Sequence, residues 1–266
     1  MTTATTMPAV FIGHGSPMNT LEHNRYTECW NELGRNIDRT FGRPRAILCV
    51  SAHWFINATA VTAMAAPRTI HDFFGFPPEL FAFEYAAPGD PQLAESLATI
   101  VDPMWVGLDH DSWGLDHGAW SVLCHLYPDA DVPVVQLSVD ASKPASHHFE
   151  LGQRLAPLRD DGVLIVSSGN IVHNLRMLDF SRGETGFDWA ERFDTEVRDL
   201  MLAGDGAGLV GLDRHPDYRR AVPTTDHFWP VLYLGGLADA SGEKGSVVIG
   251  GYGLGSLSMT SIAIGM

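Results

Sequence analysis

The chain has 266 residues, of which 45% are hydrophobic and 10% aromatic, so it can bury a substantial core and is neither disordered nor fibrous. Its 17 basic and 32 acidic residues give a formal net charge of −15, which opposes binding to nucleic acids and to anionic lipid surfaces. No segment is long and apolar enough for a membrane span, and the start of the chain lacks the pattern of a secretory leader. We therefore expect neither nucleic acid nor membrane as a partner.

The predicted elements are separated by turn-rich segments. Short runs rich in β-branched residues predict strands, and segments with helical periodicity predict helices. In chain order we expect strand 9–12, helix 24–41, strands 46–51 and 59–63, helices 91–101 and 118–127, strand 132–139, helix 146–159, strand 162–167, helices 188–203 and 229–238, and strand 246–250. This alternation favours an α/β fold with a mostly parallel central sheet and helices on both faces. Since no repeat or linker interrupts the chain, we expect a single domain over residues 1–266.

The cysteines give an indication of the compartment. Cys29, Cys49 and Cys124 are odd in number and form no C-x-x-C pair, so neither a disulfide framework nor a structural zinc site is indicated. Such residues are typical of buried thiols under reducing conditions, and we expect a cytoplasmic protein. No pattern in the sequence predicts an oligomeric state.

Three histidines occur where turns are expected. His14 in GHGSP and His53 in SAHW each follow an apolar run, and His227 precedes the last predicted helix. Side chains at the ends of parallel strands can converge at one edge of a sheet. Any one such histidine is more often a hydrogen-bonded structural residue, but three of them favour a divalent transition metal with open coordination positions. Asp226 could be a further ligand, an acceptor for the imidazole of His227, or a helix cap.

Other histidines are weaker candidates. His117 and His173 could move protons in a pocket, since an unperturbed imidazole titrates near neutrality. From the residues alone a structural role is favoured for each, such as a hydrogen bond between His117 and Asp116 at a helix start. His147 and His148 are predicted on the surface of the helix 146–159.

The segment 65–90 is the longest irregular stretch of the chain. Its prolines forbid a regular helix, and its aromatic residues need a surface to cover. It could form a binding wall or lid, or a loop that only stabilises the sheet. Phe73, Trp113 and Trp120 could wall a pocket for a flat ring and are therefore candidate substrate-binding residues, although a core role fits them equally well.

Six segments together resemble a known family. In chain order they are GHGSP, SAHW, HDFFGFPPELFAFEYAAPGDP, GLDHGAW, SSGNIVHNL and DHFWPVLYLGG. They resemble the class III extradiol ring-cleavage dioxygenases of the LigB type, most of all the 4,5-DOPA extradiol dioxygenase branch, across nearly the whole chain. The resemblance implies one catalytic domain that cleaves the aromatic ring of a catechol, such as a DOPA-like compound, with O2.

The resemblance also implies roles for the histidines. His14, His53 and His227 would bind one divalent metal per chain, either Fe(II) for catalysis or Zn(II) as found in some members. His173 would act as the acid/base, and His117 would line the active site. Related enzymes complete such a site with a carboxylate, so the ligand at the third position is open between His227 and Asp226.

Two alternatives to the dioxygenase hypothesis remain. The same three histidines could hold zinc and activate water in a hydrolase, or could bind metal without catalysis. A metal-free serine esterase is disfavoured because no G-x-S-x-G elbow occurs, and the H-E-x-x-H helix of zinc proteases is absent from the sequence.

Overall fold

A computed structural model describes residues 6–266, so the expectation about a leader falls partly outside the described residues. The strands are β1 (Ala9–Gly13), β2 (Ala46–Ile56), β3 (Ala60–Thr62), β4 (Gly107–Asp109), β5 (Val134–Asp140), β6 (Val163–Gly169), β7 (Ser246–Ile249), β8 (Tyr252–Gly253), β9 (Leu257–Ser258) and β10 (Ser261–Ile264). The α-helices are α1 (Arg25–Phe41), α2 (Pro78–Phe81), α3 (Pro91–Ile100), α4 (His117–Leu126), α5 (Ala145–Leu155), α6 (Pro157–Asp160), α7 (Asp188–Ala203), α8 (Tyr218–Ala221) and α9 (Pro230–Ser241). Short 3-10 helices cover Pro17–Thr20, Leu175–Met177 and Gly206–Arg214. Within residues 6–266, no helix combines the length and the apolar composition needed to cross a bilayer.

One central sheet organises the molecule. Its strands follow the order β4-β3-β5-β2-β6-β1-β10-β7. The middle strands β5, β2, β6 and β1 pair in parallel, whereas β10 and β7 add an antiparallel edge. This arrangement confirms the predicted α/β fold with a mostly parallel sheet.

Helices cover both faces of the sheet. Ala9 and Phe11 of β1 are buried in a cluster that includes residues of α3, α5, α7 and α9. Val10 and Ile12 point the other way and are buried in a second cluster with residues of α1 and α4. Because successive side chains of a strand alternate between faces, a strand covered on both sides is apolar throughout. The apolar runs 9–12 of β1 and 163–166 of β6 therefore reflect two cores rather than one.

The boundaries differ from the prediction at several points. The predicted helix 146–159 is divided into α5 and α6, because Pro157 has no N–H to continue the ladder of α5. The short strands β4 and β10 were not predicted. Strand β2 continues to Ile56, so His53 lies inside this strand and not at its end. Near His53, however, strand β2 leaves the regular hydrogen-bonded ladder. Its pairing with β6 stops at Ser51, and its register against β5 shifts between Val50 and Phe55.

Candidate metal centre

The histidines His14, His53 and His227 meet at the carboxyl edge of three neighbouring strands. His14 directly follows the end of β1, and His53 lies in β2 beyond the last residue that pairs with β6. His227 precedes α9, and its carbonyl accepts a hydrogen bond of 2.9 Å from the amide of Asn170, the residue after β6. The parallel order β1-β6-β2 therefore brings together residues from both ends of the chain.

Two glycines allow the backbone to approach this edge. Gly15 adopts a φ of +66°, a left-handed conformation that lets the chain turn away directly after His14. Gly118 lies in the first turn of α4, where an added Cβ would be 2.5 Å from Ser51 Oγ and 2.7 Å from the ring of His53. A larger residue at position 118 would force α4 away from β2.

The three imidazoles offer nitrogen atoms to a common point. One nitrogen from each of His14, His53 and His227 lies within 4.8 Å of the other two. The Nε2 atoms of His14 and His53 are 3.3 Å apart. His14 and His227 are buried, and the side chain of His53 is 18% exposed. Three imidazole nitrogens at these distances from one another are spaced as ligands of a single cation.

Hydrogen bonds orient two of these rings. Nδ1 of His14 lies 3.0 Å from Ser168 Oγ. The hydroxyl of Ser168 donates to the Gly118 carbonyl at 2.5 Å, so its oxygen is left to accept from His14. Nδ1 of His227 donates to Oδ2 of Asp226 at 2.5 Å. With the proton on Nδ1, the lone pair of each Nε2 is available to a metal.

Asp72 was not singled out from the sequence, although it lies in the segment 65–90. Its Oδ2 is 3.0 Å from Nδ1 of His53, and its Oδ1 is 2.9 Å from Nδ1 of His117. Oδ1 also accepts the backbone N–H of His117 at 3.0 Å. The signal available in the sequence was the His71-Asp72 pair at the start of the aromatic run. Asp72 thus places a carboxylate behind two imidazoles at once.

Burial controls the protonation of the cluster. It lowers the pKa of His14 and of His227 well below the usual value, and the neighbouring imidazoles lower both further. Burial also acts to lower the pKa of His53, but the contacts with Asp72 and the charge of Asp116 outweigh it, and the net pKa is raised. His14 and His227 are therefore neutral at pH 7, as metal ligands must be.

The donor set fits a transition metal. Each of the three rings has its Nδ1 beside an oxygen acceptor, which leaves the Nε2 atoms for coordination. Asp226 accepts the hydrogen bond from Nδ1 of His227 and therefore lies behind this imidazole. Imidazoles with this arrangement of outer acceptors are typical of metal centres.

His173 and His117 lie against the cluster. The ring of His173 stacks on that of His227, with centroids 3.5 Å apart and planes 3° from parallel. Burial lowers the pKa of His173 to about 4. His117 packs on His53 with ring centroids 3.7 Å apart, and burial lowers its pKa as well. The bond expected between the side chains of His117 and Asp116 is not formed, because Asp116 caps α4 at the amide of Ala119.

A cavity of about 540 Å³ opens over the histidines. Its floor contains all five imidazoles, and its walls are mostly apolar; the latter include Phe73, Phe74, Phe76, Leu175, Leu178, Phe180, Leu254 and Leu257. The aromatic segment 65–90, for which a binding wall was one of two interpretations, thus contributes one side of the cavity. A flat ring could enter this space and reach the Nε2 atoms.

Of the three candidate substrate-binding residues, only Phe73 lines the cavity. Trp120 is fully buried behind Phe73, at 6.0 Å between centroids, and its indole donates to the carbonyl of Ile70. Trp113 stacks on Trp54 and donates to the carboxylate of Asp116 at 3.2 Å. Both indole N–H groups thus have hydrogen-bond partners in the interior. The two tryptophans pack behind the site and do not line the cavity.

The prediction for His148 was wrong. Its side chain is fully buried and contacts the hydroxyl of Tyr233 through Nδ1 at 3.0 Å. Its ring lies 4.4 Å from that of Trp229 between centroids, with the two planes tilted by 31°. The face of α5 that carries His148 packs against α9, so the polar residue is internal. The helical periodicity of residues 146–159 alone does not predict this contact.

Comparisons with known proteins agree with the geometry. The chain is 48% identical to a protein named 4,5-DOPA dioxygenase extradiol from Escherichia coli K12 over 265 residues, which cover 98% of this chain and 96% of the relative. A protein of the same name from Beta vulgaris is 36% identical over 242 residues, covering 86% of this chain and 85% of the relative. The crystal structure of an uncharacterized protein from Escherichia coli K12 matches with a TM-score of 0.82 and 44% identity, covering 97% of this chain and all 100% of that one.

The match to a protein family covers most of the chain. Residues 8–260 match the family described as the catalytic LigB subunit of aromatic ring-opening dioxygenase. Together with the histidine cluster, this match supports a metal cofactor. The match includes every histidine of the cavity floor. The chain belongs to the LigB family of aromatic ring-opening dioxygenases.

Proposed function

We propose that this enzyme is an Fe(II)-dependent extradiol dioxygenase that cleaves the ring of a catechol with O2, and that His14, His53 and His227 hold the metal. The observation that carries the proposal is the convergence of three imidazoles whose Nδ1 atoms all lie beside acceptors. When bound there, iron supplies the redox chemistry that joins an aromatic diol and dioxygen. Zinc could occupy the same nitrogen ligands but has no accessible redox change.

His173 is proposed as the acid/base. Its pKa of about 4 keeps it neutral at pH 7, so it can accept a proton from a hydroxyl of the substrate and return it later. Its backbone amide is held by the Ala221 carbonyl at 2.9 Å, and its ring is held by the stack on His227. Because the ring is already held in place, no conformational entropy is lost in ordering it during the reaction.

His117 is proposed as a second active-site imidazole that binds the substrate. Asp72 lies beside its Nδ1, which favours the tautomer with a free lone pair on Nε2. The edge of Phe73 meets the ring at 5.5 Å between centroids. An imidazole held from two sides can accept a hydrogen bond from a diol without moving.

The apolar walls exclude water from the reacting groups. Phe73 and Phe76 pack edge to face at 5.3 Å and form one side of the cavity. A dry cavity strengthens the hydrogen bonds between imidazoles and diol. The proposed substrate is a small aromatic diol of the DOPA type, because both relatives compared above are named for 4,5-DOPA.

The whole of residues 1–266 is proposed to act as one catalytic domain. Support comes from the position of the histidines, since His14 and His227 lie near opposite ends of the chain but share one sheet edge. Neither half of the chain contains all the proposed ligands.

Anaerobic reconstitution tests the function. Metal-free protein is loaded with Fe(II) or with Zn(II), and a catechol and air are then added while oxygen uptake and visible absorbance are followed. We expect oxygen uptake and a yellow ring-opened product with iron, and none with zinc. The variant His23→Ala, at an exposed histidine away from the cavity, serves as the control and should retain the activity. Hydrolysis of esters with zinc, combined with no turnover of catechols with iron, would establish the hydrolase instead.

A further inference from the structure

One arginine lies in the segment that leads from the floor of the cavity to its mouth. His173 belongs to the floor, and Leu175 and Leu178 line the wall. Arg176 lies between these two leucines, in the 3-10 helix Leu175–Met177. Such a helix has three residues per turn, so Leu175 and Leu178 face the same side and Arg176 leaves the backbone a third of a turn away. Its side chain is exposed and therefore lies at the rim of the cavity.

The guanidinium of Arg176 is available to a ligand. Its backbone amide donates to Oδ1 of Asn174 at 3.2 Å, whereas its guanidinium has no hydrogen-bond or ion-pair partner among residues 6–266. Asp179, three residues further on, is already engaged. Its Oδ1 accepts the amide and the hydroxyl of Ser181 at 3.0 and 2.6 Å, and its Oδ2 lies 3.5 Å from Nε of Arg182. In a chain with a net charge of −15, an unpaired guanidinium at a cavity rim favours an anionic ligand.

Two other arginines of the surrounding surface have partners. Arg25 donates to Glu184 at 2.6 Å, and the guanidinium of Arg182 lies over the ring of Phe187 at 4.1 Å from its centroid. Within residues 6–266, no lysine or arginine lines the cavity itself. Arg176 is the only one of these residues that directly adjoins a lining residue in the sequence. The cavity therefore has one nearby cation that is not neutralised.

The distance along the chain suits a substituted catechol. Arg176 follows His173, the proposed acid/base, by three residues, so their Cα atoms are at most about 11 Å apart. An arginine side chain is long and flexible enough to cover much of this distance. A ring whose diol contacts the histidines of the floor directs a substituent on its opposite edge toward the mouth. The end of a substituent of two or three carbon atoms then lies near the rim that carries Arg176.

We propose that Arg176 is a specificity-determining residue that binds the carboxylate at the end of the substrate's ring substituent. The inference rests on the proposed function and names the group that recognises such a side chain. A planar guanidinium can donate two parallel N–H bonds to the two oxygens of a carboxylate. The walls beside it, which include Leu175 and Phe180, carry no charge. A carboxylate that lost its hydration there without a cation would be destabilised.

A matched pair of substrates isolates the charge. 3-(3,4-Dihydroxyphenyl)propionate and its primary amide have the same shape, but only the first carries a carboxylate; unsubstituted catechol is the reference. Oxygen uptake by the iron-loaded enzyme gives kcat/KM for each compound. We expect the value for the propionate to exceed that for the amide by about tenfold, which is typical of one hydrogen bond between charged groups. Added salt should reduce this ratio, because the rim is open to solvent. Equal values in the wild type would overturn the inference.

Variants of Arg176 test the assigned residue. Arg176→Gln should lower kcat/KM for the propionate by about tenfold, mainly through KM, and leave the values for the amide and for catechol within about twofold. Arg176→Lys should retain part of the preference, since it keeps the charge but not the planar fork.

Arg220→Gln is the matched control. The side chain of Arg220 is also exposed, and its carbonyl accepts a hydrogen bond from Asn174 at 2.8 Å, so it lies near the same segment. However, Arg220 lines a different cavity. This variant should show the wild-type ratio of propionate to amide.

Equilibrium binding gives a second readout that does not depend on turnover. Zinc has no accessible redox change, so the zinc-loaded protein should bind both diols and convert neither. Isothermal titration calorimetry should give a Kd for the propionate about tenfold below that for the amide. Arg176→Gln should remove this difference, and Arg220→Gln should keep it.

The outcomes separate the two proposals. Turnover of catechol, with a ratio of propionate to amide that Arg176→Gln does not change, leaves the dioxygenase standing and refutes the role of Arg176. A ratio that Arg220→Gln abolishes also refutes it, because another residue would then supply the cation. No oxygen uptake with any of the three compounds refutes the proposed function, while calorimetry still decides whether Arg176 binds the carboxylate.

Discussion

The carboxylate of Asp72 lies 3.0 Å from Nδ1 of His53 and, through its other oxygen, 2.9 Å from Nδ1 of His117. One acidic residue thereby orients a proposed metal ligand and a proposed substrate-binding imidazole. Burial acts to raise the pKa of this carboxyl group, but the contacts with the two imidazoles stabilise the carboxylate and hold its pKa well below the usual value. Asp72 is therefore charged throughout the physiological range.

Replacement of Asp72 by Asn should weaken metal binding. The amide keeps the shape but removes the charge that fixes the proton on Nδ1 of His53, and loss of such an outer partner typically costs about 10- to 100-fold in affinity. The dissociation constant is measured by competition with a chelator. Asp129→Asn, at an exposed acidic residue, should bind metal like the wild type. Unchanged affinity in Asp72→Asn would remove the positioning role.

The two candidates for the third ligand can be separated. His227→Ala should abolish stoichiometric metal binding, because it removes a coordinating nitrogen. Asp226→Asn should retain the metal with an affinity reduced by about 10- to 100-fold, since the carboxylate only accepts from Nδ1 of His227. Metal content after dialysis against a chelator distinguishes the two. The reverse pattern would make Asp226 the ligand.

Replacement of His173 by Ala should reduce kcat by about 10²- to 10⁴-fold while metal content stays at one ion per chain. The reason is that the acid/base is lost while the three ligand nitrogens remain. Oxygen uptake and elemental analysis are measured on the same sample. His110→Ala, at an exposed histidine, is the control and should keep full activity. Oxygen uptake that survives the change at His173 would refute the acid/base assignment.

The buried His148 should make the protein sensitive to acid. Burial lowers its pKa from 6.5 to about 3, and the neighbouring His147 contributes. As the pH falls below 6.5 the unfolded state binds a proton that the folded state does not, so the free energy of unfolding decreases down to about pH 3. At pH 5 this group accounts for a loss of at most about 2 kcal/mol.

The variant His148→Gln isolates this contribution. Glutamine can still form a hydrogen bond with the hydroxyl of Tyr233 but does not titrate, so the unfolding free energy of the variant should depend less on pH between 7.5 and 5. Urea unfolding of metal-free protein at both pH values gives the difference from the wild type. The exposed His23→Gln should show the wild-type dependence. Equal slopes for His148→Gln and the wild type would contradict the prediction.

Local patterns were sufficient for most of the fold. Helix 188–203 was predicted with its observed bounds, and β1 and α1 within one residue, because their hydrophobic periodicity lies within the elements themselves. The four-residue strand β10 was not predicted, since it is stabilised by its pairing with β1 and β7. Burial of His148 likewise depends on α9, which lies far along the chain.

The sequence by itself determined the alternation of strands and helices, the family motifs, and the five histidines that form the floor of the cavity. The tertiary structure decided which other residues join them: Asp72 reaches His117 across 45 positions of sequence, while Trp113 and Trp120 lie behind the wall. The physical reason is that periodicity and turn signals report on contacts within a few residues. A carboxylate's partners and a ring's exposure depend on which distant elements the sheet order brings together.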